Sequence, residues 1–268
     1  MPGYSLIRPL GFFYAILLIL VLTWLWYSGR WKQLAGYALL LVSAALGFLI
    51  FAPVAPHQFQ ELVVRNTESL GVSLQVAAIG LAIIFLLTLV AGRFFCGYFC
   101  PVGALQELVS LVPVKKFPPH QKHAFMAVHG IVFVVFLIMA FVFSSALLDY
   151  FGIRDFFALA LTTGSLVFVV MLLVSVVFYR PFCRLVCPYG ALLALAGSTS
   201  FLCLQRTDAC IACGTCEQVC PVDEAKRDDR KAECYLCGRC TDACPQEGAL
   251  KYQRRHGHSN AGREKKQE

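Results

Sequence analysis

Hydrophobic residues run in long blocks along most of the chain, near residues 10–27, 34–52, 74–92, 124–148 and 157–179, separated by short polar joints. A helix needs ~20 apolar residues to cross a bilayer, so the blocks predict an α-helical membrane protein with about five transmembrane helices. The first block is followed by Ser-Gly-Arg-Trp-Lys with no small-residue cleavage site, and is expected to be a retained span rather than a signal peptide. The short turn at 28–32 and the apolar run after Pro188 leave four-span and six-span versions open. After Pro101 the pattern places Val102, Leu105, Leu108, Val109 and Val112 on one helical face and Gln106, Glu107 and Ser110 opposite, which predicts a helix lying on the membrane surface. The run after Pro188 is expected to be an interfacial or partly buried helix.

Composition sharpens this division. Of 268 residues, 58% are hydrophobic and 15% charged, too apolar for an ordinary soluble protein. Beyond residue 180 lie 13 of the 23 Lys and Arg and 11 of the 16 Asp and Glu, so a soluble part follows a membrane part. The expected organisation is a transmembrane domain over 1–204, a cysteine-rich domain over 205–252 and a disordered basic tail over 253–268. In that tail His256 and His258 are expected to be solvated. One set of joints carries Arg30, Lys32, Arg93, Lys115, Lys116, Lys122, Arg180 and Arg184, and the other Arg8, Arg65 and Arg154. Basic joints stay in the cytoplasm, which puts the chain in the cytoplasmic (inner) membrane as a multi-pass protein with its cysteine-rich domain inside. The same flanking residues account for the net charge of +7 without a nucleic-acid partner.

The thirteen cysteines fall in tight groups. From Cys210 the chain reads CIACGTCEQVCP, and from Cys234 it reads CYLCGRCTDACP. Each is CxxCxxCxxxCP, the bacterial ferredoxin pattern, in which three thiolates hold one cubane and the fourth reaches across to the other. Cys210, Cys213, Cys216 and Cys244 are thus expected to hold one [4Fe-4S] cluster, and Cys220, Cys234, Cys237 and Cys240 the second. The fold implied is a small α+β 2[4Fe-4S] ferredoxin domain, stapled by crossed ligation because so short a segment buries little core. Zinc needs no doubled octet with proline after the fourth Cys, and disulfides need an oxidising compartment that the charge bias contradicts.

A second cysteine pattern lies at the ends of apolar blocks. Residues 93–105 read RFFCGYFCPVGAL and residues 180–192 read RPFCRLVCPYGAL, so Arg, Phe, both Cys, Pro, Gly, Ala and Leu recur at fixed offsets. Proline suits the first turn of a helix, so a helix should begin at Pro101 and at Pro188, with Cys100 and Cys187 at the two N-termini. Three readings of Cys96, Cys100, Cys183 and Cys187 stay open: a redox or metal site, a link to the ferredoxin domain, or small buried apolar residues. Cys203 has no partner at motif spacing and reads as apolar filler. On the outer side, His57, Glu61, Asp149 and Asp155 are weak candidates for accepting protons.

Two CxxxCP motifs after membrane spans, followed by two CxxCxxCxxxCP motifs, resemble the NapH/MauN-type membrane ferredoxins, which share their core with the C-terminal half of the NosR regulators. The resemblance covers roughly residues 74–252. It implies a quinol dehydrogenase component, an electron-transfer subunit rather than a stand-alone enzyme, that takes electrons from the quinone pool towards a partner ferredoxin or reductase subunit, with quinol as substrate. A metal-handling alternative has ferredoxin electrons reduce copper held by the four CxxxCP cysteines, whose soft thiolates suit Cu(I).

Overall fold

The computed structural model describes residues 4–49, 54–65, 73–114, 116 and 122–255. Lys115 and the tail from residue 256, including His256 and His258, lie outside the described residues. Helices α1 (Tyr4–Tyr27) and α2 (Gln33–Leu49) form the first hairpin, turned at Gly29, whose φ of +66° suits glycine. The joint between the second and third apolar blocks contains the short helix α3 (Val54–Val64). Helix α4 (Leu74–Ala91) starts at Ser73, whose Oγ accepts from the Val76 N–H, and stops at Gly92. A π-helical turn (Phe95–Phe99) then leads into α5 (Pro101–Val109).

The second half repeats this plan. Helix α6 (Lys122–Val142) is followed by a 3-10 turn (Leu147–Phe151), the short α7 (Ile153–Phe157) and α8 (Thr163–Val174). A second π-helical turn (Phe182–Val186) leads into α9 (Pro188–Ser198). The fifth apolar block is therefore broken at 158–162, because the Thr162 and Ser165 side chains form a reciprocal cap that starts a new helix.

Helices α4 and α6 are long and apolar enough to cross a membrane, at 18 and 21 residues and mean hydropathies of 2.6 and 2.7. They bury 28% and 17% of those windows, whereas a soluble core helix would bury most of its surface. Leu86, Ile131, Val134 and Phe141 are among the large apolar side chains left outside. The other expected spans are helical too, but their described apolar lengths, Ile16–Tyr27, Gln33–Phe48 and Thr163–Val174, are shorter.

Helix α5 corrects the surface-helix expectation, whereas α9 is partly buried as expected. Gly47, near the end of α2, has no room for a Cβ because Pro101 would lie 2.5 Å from it. Glu107 shares a cleft with Gln33, Gly36 and Tyr37 near the start of α2. Helix α5 thus starts beside the far end of α2 and runs back along it. Helix α9 starts beside the middle of α4 and runs in the same direction, with Tyr189 Oη donating to Leu81 O at 2.7 Å and Phe201 N donating to Leu89 O at 2.7 Å. Both begin inside the bundle. The polar face of α5 is its buried face, with Gln106, Glu107 and Ser110 at 0, 3 and 1% exposure. The two-faced pattern holds, but its polar face turns inward because Glu107 finds arginine partners there, with Val102 of the apolar face buried as well.

Strand β1 (Leu202–Arg206) pairs antiparallel with β2 (Leu250–Arg254), Leu204 facing Tyr252. Between them lie the cysteine loops and the single-turn helices α10 (Thr215–Val219) and α11 (Arg239–Asp242). This small α+β unit is bound to the bundle by Tyr252, whose Oη donates to Ala91 O at 2.6 Å and whose ring meets Trp26 edge-on.

Candidate redox centres

The two cysteine loops fold alike. Gly214 and Gly238 have φ of +76° and +82°, and Ala212 and Leu236, two residues earlier, are also left-handed at +54° and +55°. The reversals wrap each loop and open α10 and α11, which carry Cys216 and Cys240. At Gly214 the need is the backbone conformation rather than close approach, since an added Cβ there meets nothing within 4 Å.

One cavity is lined by Cys220, Cys234, Cys237 and Cys240, together with Tyr179 and Arg239. Another is lined by Cys210, Cys213, Cys216 and Cys244. These are the two crossed sets that the spacing predicts, brought together by the chain itself. In the first, burial pushes Cys234 up to about 12 and Cys237 up to about 11, and raises Cys220 and Cys240 as well. Such thiols stay neutral in water-poor surroundings unless a metal replaces their protons. The Glu224 N–H points at Cys220 Sγ at 3.3 Å, a donor suited to a bound sulfur. Four half-buried thiols with an apolar lining and amide donors fit an iron–sulfur cluster.

The two cavities differ in surroundings. The Cys234 loop is pressed into the bundle. Tyr235 is 2% exposed, and the guanidinium carbons of Arg93 and Arg180 each lie 4.6 Å from its ring centroid. These are the arginines of the repeat, and each also reaches across to the other copy. Arg93 donates to Gly190 O at 3.1 Å and to Ala232 O at 3.2 Å, while Arg180 donates to Cys96 O and to Gly97 O. Gly97 cannot carry a side chain, since a Cβ would sit 2.5 Å from Tyr235 O. At the matching offset in the second copy stands Arg184, paired with Glu233 at 2.8 Å, the two side chains 4% and 2% exposed. Tyr98 Oη donates to Leu236 O at 2.9 Å, and Glu107 joins Arg180, Arg239 and Tyr179 in one buried network.

Behind this junction lie Cys96, Cys100, Cys183 and Cys187, at 8, 7, 5 and 7% exposure. Cys100 and Cys187 stand at the N-caps of α5 and α9 as the prolines predict, and Gly190 N donates to Cys187 Sγ at 3.2 Å. Among the described residues, no three of these four sulfurs converge to within 4.8 Å of one another. Cys203 is buried in β1, away from both cavities. His57, Glu61 and Asp149 meet at the other end of the bundle, whereas Asp155 instead accepts from Thr162 Oγ1 at 2.6 Å. Tyr235, Arg239, Glu107 and Glu233 were not singled out from the sequence as parts of the junction. The differing residues at matched positions of the two cysteine loops were the available signal.

Residues 74–120 and 160–202 match a family model described as a 4Fe-4S binding domain, and 206–223 and 234–249 match two further models with that description. The first of these covers both CxxxCP motifs. YccM of Escherichia coli, named as an electron transport protein, is 30% identical over 169 residues, 56% of this chain and 47% of that protein. The methylamine utilization ferredoxin-type protein MauN of Methylorubrum extorquens is 31% identical over 159 residues, 54% of this chain and 53% of that protein. The regulatory protein NosR of Pseudomonas aeruginosa is 33% identical over 151 residues, 51% of this chain and 21% of that protein. The chain thus spans about half the length of these relatives or less. No solved structure matches. The matched domains and the names of these relatives support an iron–sulfur electron-transfer protein.

Proposed function

We propose that this homologue of MauN, YccM and NosR is the quinol-oxidising component of a membrane electron-transfer chain, multi-pass in the cytoplasmic membrane with its ferredoxin domain inside. Cys220, Cys234, Cys237 and Cys240 hold an inner [4Fe-4S] cluster, and Cys210, Cys213, Cys216 and Cys244 an outer one. Bound clusters supply one-electron transfer. The chain's own part is to fix the inner site against the bundle and leave the outer site open to a partner ferredoxin or reductase subunit.

The observation that carries this reading is the clamp on Tyr235. Tyr235 is covalently next to Cys234, and the two arginines over its ring belong to the two motifs that bear the buried thiols. Arg93, Tyr235 and Arg180 make a packed bridge from those thiols to the inner cavity. No three of the buried thiols lie within 4.8 Å of one another, and the family model that covers them is a 4Fe-4S binding domain. Both facts favour a further iron–sulfur centre at Cys96, Cys100, Cys183 and Cys187 over a single copper ion.

Anaerobically purified full-length protein is expected to carry about twelve irons per chain, falling to about eight in Cys100→Ser/Cys187→Ser, by the cluster arithmetic. In proteoliposomes, added quinol is expected to bleach the cluster absorbance. Zinc in place of iron, or absorbance that dithionite bleaches and quinol leaves untouched, would rule the reading out.

A further inference from the structure

At the end of the bundle away from the cysteine loops, α3 and the 3-10 turn at Leu147–Phe151 bring three metal-ligating side chains together. His57 and Glu61 are four residues apart and share one face of α3, and Asp149 arrives from the turn. One nitrogen of His57 and one oxygen of each carboxylate all lie within 4.8 Å of one another. His57 Nδ1 is 3.7 Å from Glu61 Oε1 and 3.8 Å from Asp149 Oδ1. Those gaps are longer than the hydrogen bonds around them, the longest of which is 3.4 Å. They suit atoms that share an ion about 2.0–2.2 Å from each.

The surroundings hold this arrangement in place. Gln60 is fully buried and its amide orientation is fixed, because the Leu148 N–H donates to its Oε1 at 2.6 Å. Its NH2 group therefore faces the carboxylates, donating to Asp149 Oδ1 at 3.3 Å and to Glu61 Oε1 at 3.4 Å. One amide thus orients both carboxylates towards the gap, the role that outer partners play around metal ligands. Two carboxylates this close, one of them 2% exposed, repel each other and call for positive charge between them. The His57 Nε2 atom is buried without a hydrogen-bond partner among the described residues, so the ring is not tied elsewhere through that nitrogen. The Asp149 side chain is 59% exposed, which opens the gap to solution.

We infer that His57, Glu61 and Asp149 form a binding site for a divalent first-row cation, of the Zn2+ or Mn2+ class, that clips α3 to the 147–151 turn. One imidazole and two carboxylates suit such borderline to hard ions, whereas Ca2+ asks for about six to eight oxygens. The site is independent of the iron–sulfur assignment, since it shares no ligand with the cysteine sets. In the test, Mn2+ is titrated into full-length protein in detergent and free Mn2+ is followed by its EPR signal, with Zn2+ as competitor. The expected result is one Mn2+ bound per chain and displaced by Zn2+, with affinity reduced at least tenfold in Asp149→Asn and in His57→Ala. Unchanged cluster absorbance in each variant shows that its fold is kept. Free Mn2+ that does not fall with the parent protein, or equal binding by parent and folded variants, would overturn the inference.

Discussion

The two cysteine loops carry one motif in two settings. Their ligands match offset for offset, but, Gly214 and Gly238 apart, the residues between the ligands do not. Ile211 is 61% exposed where its counterpart Tyr235 is 2% exposed. Ala212 is matched by Leu236, which is 3% exposed, and Thr215 by Arg239, which pairs with Glu107. The ligand positions decide that a loop wraps a cluster, and the intervening positions decide which loop is seated in the bundle. One cavity thereby becomes part of the membrane-facing machinery while the other stays within reach of solution.

Removing an inner ligand should break the comparison most severely. Cys240→Ser is expected to abolish quinol-driven bleaching of the outer cluster and to lower iron content by about four per chain, since one cubane is lost. Glu107→Gln comes next, because it leaves the buried Arg180 and Arg239 without their shared counter-charge. Breaking a buried pair from one side costs about 3–5 kcal/mol, to be read as a lowered denaturation midpoint for cluster loss. Arg184→Met strands Glu233 in the same way, and the double replacement Arg184→Met/Glu233→Met should recover much of the loss, since an apolar pair carries no buried charge. Tyr235→Leu removes two cation–π contacts worth about 1–2 kcal/mol in total. It should keep its iron and bleach more slowly with quinol. Ile211→Ala, at the matching exposed position, is expected to shift stability by no more than about 0.5 kcal/mol and to leave bleaching unchanged.

Much of the site was legible in the sequence, because ligand spacing is a local property. The eight ferredoxin cysteines divide between two cavities in the sets that the motif implies, and the prolines after Cys100 and Cys187 mark true helix starts. The rest depends on what lies across the fold. The two-faced pattern of 101–112 does not say which face turns inward, and in an apolar setting the polar face goes in to meet Arg180 and Arg239. The break at 158–162 was hidden inside an apolar block because Thr162 and Ser165 are common in spans. The clamp on Tyr235 joins residues more than fifty positions apart, and no spacing rule connects them. Likewise His57 and Glu61 show their shared helical face in the sequence, while Asp149 enters from a distant turn.

The central claim is an order: the cavity seated on the bundle receives electrons before the exposed one. Cys213→Ser alters a ligand of the exposed cavity alone and so marks that centre's EPR signal. Mixing this variant with quinol in proteoliposomes and freezing the sample at successive times gives the order directly. The signal unaffected by the substitution is expected to grow in first and the altered signal to follow; an altered signal that leads would overturn this order.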